Sequence, residues 1–115
     1  MSTATDTSKL SPALQKLDPT RRRAELLICG LAMQFDCLTY KASHFRPGYF
    51  DAEKLEVASR VWSTGETHCV NFILAVWSGN DWPGREFKLI DAMGCGLSAN
   101  NLQPIIDWMQ SPFWP

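Results

Sequence analysis

STGETHCVNFILAVW, residues 63–77, decides the fold. It is apolar enough for a buried helix or a buried strand. Val70, Ile73, Leu74 and Trp77 fall on one face at helical spacing, and Thr67, Asn71, Ala75 and Ser78 fall on another. The β-branched and aromatic residues between Val70 and Trp77 also suit a strand. Polar residues recur every three or four positions instead of alternating, so the spacing predicts a helix. Ser63 and Glu66 stand ahead of it at capping-box spacing.

Downstream, SGNDWPGREF turns the chain. Gly79 ends the helix, and Trp82-Pro83-Gly84 leads into EFKLIDAM, a short fourth element that also admits a two-stranded excursion. Trp82 is expected to fold inward at this corner. Exposed beside Trp114 or Tyr49, it would instead mark a partner site. The fifth element is NLQPIIDWMQ, with Asn101 as its cap and Pro104 in its first turn. Leu102, Ile105, Ile106 and Met109 are expected to face inward.

Upstream, LDPTRRRAELLICGLAMQFDCLTYK predicts a long central helix over residues 19–42. Asp18 caps it and Pro19 opens it. Leu26, Gly30, Met33, Cys37 and Tyr40 form one stripe, and Leu27, Leu31, Phe35 and Leu38 a second beside it. Pro47-Gly48 fits a type II turn. Asp51 then caps a second helix, whose inner face is Leu55, Ala58, Val61 and Trp62. The expected architecture is all-α: a compact bundle of four to five helices around the 19–42 helix. Residues 1–11 are expected to be a flexible tail and 12–115 a single domain.

At 115 residues the chain can bury a core without staples. Its charge is uneven. Residues 1–23 hold five basic and two acidic side chains, and the rest holds six basic and ten acidic ones. An acidic body repels phosphate backbones, so nucleic-acid binding would rest on Arg21, Arg22 and Arg23 alone. The start lacks the apolar core of a secretory signal, and no apolar run is long enough to span a membrane. The expected compartment is the cytoplasm.

The chemistry-bearing residues form no recognisable set. His44, His68, Cys69 and Cys95 are what a zinc site would draw on, but ligand pairs two to four residues apart are missing. Cys69 has no natural base, since His68 points about 100° away on a helix. Cys29 and Cys37, eight residues apart, are too distant for a disulfide on one helix. Four cysteines without a CxxC pair behave as small hydrophobes. Asp91 and Asp107 lie on different elements. Asp36 is either a buried carboxylate seeking a partner or part of a polar strip with Gln34 and Thr39. GCG at 94–96 and PGRE at 83–86 match no phosphate loop. No metal and no cofactor are expected.

Thirteen aromatic residues remain, five of them Trp. Trp62, Trp77 and Trp108 fall on inner faces. Trp82, Trp114, Phe45, Tyr49 and Phe113 fall outside the strong periodic patterns, where aromatic side chains serve as loop anchors or as a contact surface. Surplus aromatics without a catalytic set point to protein–protein contact. The partner is another protein, or a second copy in a homodimer. The candidate contact residues are Arg21, Arg22, Arg23, Tyr49, Trp82 and Trp114.

VWSTGETHCVNFILAVWSGNDWP followed by FKLID resembles small uncharacterised proteins encoded on proteobacterial plasmids and integrated mobile elements. Trp62, Thr64, Gly65, Phe72-Ile73-Leu74, Trp77, Gly79, Asn80, Trp82, Pro83, Phe87, Leu89 and Asp91 carry the likeness. It implies an accessory protein of a mobile element and transfers no site. By analogy with anti-CRISPR inhibitors, such a protein would bind and modulate host machinery.

Overall fold

The computed structural model describes residues 12–115; the tail expected over 1–11 lies outside them. Among the described residues the chain is all-α. Its helices are α1 (Pro12–Gln15), α2 (Pro19–Ala32), α3 (Ala52–Ala58), α4 (Thr64–Ser78), α5 (Leu89–Gly94) and α6 (Ala99–Gln110). Two 3-10 segments, Asp36–His44 and Ser59–Val61, join them. No strand forms among these residues, only an isolated bridge between Trp82 and Arg85. Both segments left between helix and strand are thus settled. Residues 70–77 are helical throughout, and the fourth element is helical from Leu89 on.

Local chemistry explains where the helices start. The Asp18 carboxylate accepts from Arg21 N–H, and Asp51 from Lys54 N–H. Ser63 and Glu66 make both bonds of a capping box. Each cap contributes about 1 kcal/mol. Gly48, at φ 90°, takes the third position of the turn that Tyr49 N–H closes on Arg46 C=O. Gly79, at φ 76°, ends α4 with its N–H on Ala75 C=O.

The centre of the bundle differs from the expectation. No helix runs over 19–42, because α2 stops at Ala32. Gln34 N–H and Phe35 N–H then make tight bonds to Leu31 and Ala32 carbonyls, and Phe35 is extended (φ −81°, ψ 119°). That break puts both Phe35 and Leu38 into the core. Tyr40, beyond it, is left 91% exposed. Leu26 is exposed as well. The central helix is instead α4, with Cys69, Val70, Phe72, Ile73, Leu74 and Val76 all buried. Around it pack Ile28, Leu31, Phe35, Leu38, Phe45, Phe50, Leu55 and Ile105. Each fully buried large apolar side chain contributes ~1.5–3 kcal/mol.

Other corrections share a cause, which is that the helices are shorter or shifted. Val61 sits in a 3-10 turn and is 89% exposed, not inward. Ser98, not Asn101, is the N-cap residue of α6, so Pro104 lies inside the helix, where its missing N–H leaves the Asn100 carbonyl without its helical donor. Asn101 is buried and turned to tertiary work. Its Oδ1 accepts from Cys37 N–H at 2.9 Å, and its Nδ2 donates to Ser98 Oγ. Ile105 is buried, but Ile106 and Met109 are exposed. Asp36 is exposed.

Candidate functional site

The C-terminal half of α4 positions the features that stand out. Phe72 reaches from α4 toward the chain's end. Its ring meets Phe87 edge-on at 5.2 Å and Trp108 at 5.4 Å, and Trp108 meets Trp114 at 5.0 Å. Trp108 Nε1–H donates to Phe113 C=O, which folds the terminal SPFWP segment back onto α6. The four rings wall a cleft of about 280 Å³, with Met109 at one edge and Gly79, Asn80 and Asp81 at another. Asp81 Oδ1 accepts from Phe87 N–H at 3.2 Å, which ties this rim to the aromatic wall. Trp114 is 60% exposed at the cleft's mouth. Ile106 precedes Met109 by three positions on α6, so the apolar surface continues along the helix.

The six expected contact residues do not form one patch. Arg21 is turned to the protein. Its Nε donates to Glu25 Oε2 at 2.7 Å, and its guanidinium lies 4.8 Å from the Trp77 ring centre. Arg22 donates to Leu17 C=O at 3.2 Å, and Arg23 is exposed. Trp82 is half-buried and shares a cleft with Arg21, Phe50 and Trp77. Trp77 itself is half-buried and packs edge-on against Phe50 at 5.0 Å. Tyr49 is exposed under the Arg46 guanidinium, 4.6 Å from its centroid. Thus Arg21 and Trp82 meet around Trp77, while Trp114 belongs to the aromatic cleft.

Two charged clusters went unforeseen. Glu25 is buried in α2, with Oε1 accepting from Gly48 N–H at 2.7 Å and Oε2 from Arg21. Arg85, in the corner after α4, is only 9% exposed. Its guanidinium donates to Glu56 Oε2, to the Glu56 carbonyl and to Asn71 Oδ1. Glu56 also takes two bonds from Arg60, and these hold its carboxyl below the usual range; Arg85 adds to the effect against burial. Glu56, Arg85, Arg60, Asn71 and Thr67 line a polar cleft of about 470 Å³. A lone arginine in a turn facing a glutamate-bearing helix was the available signal.

The thiols differ sharply. Burial, with Glu25 adding to it, pushes Cys29 up to about 12. The Cys37 and Cys69 sulfurs lie 3.6 Å apart. The hydrogen bond between the two thiols lowers Cys37, whereas the same bond and burial raise Cys69. His44 packs edge-on against Trp62, and the buried Nδ1 of His68 has no partner. Among the described residues, no three His, Cys, Asp or Glu side chains are arranged to hold a metal ion, and no helix is long and apolar enough to cross a membrane. The chain matches no family model, no curated protein and no solved structure.

Proposed function

We propose that this chain is a non-enzymatic protein-binding module whose contact surface is the aromatic cleft on α4 and α6. The observation that carries it is the cleft walled by Phe72, Phe87, Trp108 and Trp114, which opens at the exposed Trp114 and Met109. Aromatic residues and methionine concentrate at the energetic centres of interfaces. A partner would insert an apolar side chain between the rings, with a basic group near Asp81 on the rim. A role as inhibitor or modulator of host machinery rests on the mobile-element resemblance of the sequence. The nucleic-acid alternative is weakened, because Arg21 and Arg22 are turned to internal partners.

The test is copurification from the native host with the wild type and with Trp114→Ala/Met109→Ala, both with matched melting temperatures. One protein should copurify in stoichiometric amount with the wild type and bind the double variant at least ~10-fold more weakly. No stoichiometric partner, or one that the variant retains equally, would overturn the proposal.

A further inference from the structure

Cys37 and Cys69 stand 32 positions apart in the chain, yet their sulfurs are in contact at 3.6 Å. Each is anchored separately. Cys69 is fully buried in α4, near its first turns. Cys37 is half-buried near the start of the 3-10 segment Asp36–His44, where the bond from its backbone N–H to Asn101 fixes its position. We propose that Cys37 and Cys69 are a reversible oxidation site, closing to a disulfide that links the 3-10 segment to α4 when the chain meets hydrogen peroxide.

The chemistry balances in two steps. The Cys37 thiolate attacks one peroxide oxygen and the O–O bond breaks. Cys37 becomes a sulfenic acid, and the departing hydroxide leaves as water with the proton that the thiol gave up. The Cys69 sulfur then attacks the sulfenic sulfur. The S–S bond forms, the S–O bond breaks, and the hydroxide leaves as a second water with the Cys69 proton. Two thiols lose two electrons and two protons, and the peroxide is reduced to two waters.

The surroundings set the order of attack. Cys37 is half-buried where Cys69 is fully buried, so a small oxidant reaches it first, and its hydrogen bond with Cys69 favours the thiolate there. Burial, and after it the Glu66 and Asp36 carboxylates, oppose that effect without reversing it. Cys69 has no such help and serves as the resolving thiol. Closure needs the sulfurs to approach by roughly 1.5 Å, to the ~2.05 Å of a disulfide. The competing thiols are placed less well. Cys29 is buried beside Glu25, and the exposed Cys95 donates to Ala92 C=O at 3.1 Å.

The full-length chain is treated with hydrogen peroxide, alkylated with iodoacetamide under denaturing conditions and peptide-mapped by mass spectrometry. The expected result is a Cys37–Cys69 linked peptide, 2 Da lighter than its two thiol parts and released by dithiothreitol, with a melting temperature higher by several degrees. Cys29→Ser and Cys95→Ser keep the link, and Cys37→Ser loses it. The wild-type map decides the matter even if Cys69→Ser fails to fold. Cys37 left as a thiol, carried on to sulfinic acid, or linked to Cys95 instead overturns the proposal.

Discussion

The two arginine–carboxylate clusters are built in opposite senses. On α2 the anion is inside: the Glu25 side chain is 3% exposed and Arg21 is 44% exposed. In the corner after α4 the cation is inside: Arg85 is 9% exposed and Glu56 16%. Glu25 binds one backbone amide and one arginine, and so pins the Arg46–Tyr49 turn to α2. Arg85 binds three oxygens on α3 and α4, and so pins the corner to both helices. Which charge is buried decides how much structure fails with it, because an isolated buried charge costs far more than an exposed one.

The largest effect is therefore expected at Arg85. Arg85→Ala leaves Asn71 Oδ1 without this donor, leaves the Glu56 carbonyl only the Ser59 hydroxyl, and removes the corner's hydrogen bonds to α3 and α4. Its melting temperature should fall by on the order of 10 °C, with a red shift of Trp82 emission as the corner loosens. A variant that melts within ~2 °C of the wild type would show that the corner stands without its arginine.

Glu25→Ala tests the opposite arrangement. It leaves one half-buried donor, Gly48 N–H, without its protein partner, while Arg21 can turn to water and still lie over Trp77. Urea denaturation should show a loss of about 2 kcal/mol. Glu25→Gln keeps an oxygen for Gly48 and should recover roughly half of that. Equal losses for Ala and Gln would place the stabilisation in the charge instead of the hydrogen bond to the turn.

The comparison also separates what the sequence makes legible. Asp18, Asp51, Ser63 with Glu66, and Pro47-Gly48 act on neighbours three residues away, and each takes its expected place. Helix boundaries set by tertiary packing were not legible. The pattern through Phe35 and Leu38 continues a helix, yet α2 ends at Ala32 and both side chains reach the core from beyond the break. The same holds for contacts across the fold. Arg85 reaches Glu56 over 29 positions and Cys37 reaches Cys69 over 32, and neither distance leaves a periodic mark. Of the expected contact residues, Trp114 alone lies in the aromatic cleft. Phe72, Phe87 and Trp108 had been visible only as apolar residues of their own segments.

The smallest effect sharpens the comparison by pH. Arg60, and then Arg85, hold the Glu56 carboxyl below its unfolded value of 4.5. A group lowered by folding adds stability above its unfolded pKa and loses it as pH falls through the folded one. The wild-type melting temperature should thus drop as pH falls below about 4.5, through the range where Glu56 takes up its proton. Glu56→Gln still offers Arg85 a side-chain oxygen and the main-chain carbonyl, so the corner should stay in place at neutral pH. Its acid limb should be flatter than that of the wild type. The difference is small because water reaches Glu56 and screens its charge. Identical acid limbs would mean that the carboxylate's charge does not hold Arg85. The cluster would then act through hydrogen bonds alone, as Glu25 does toward Gly48.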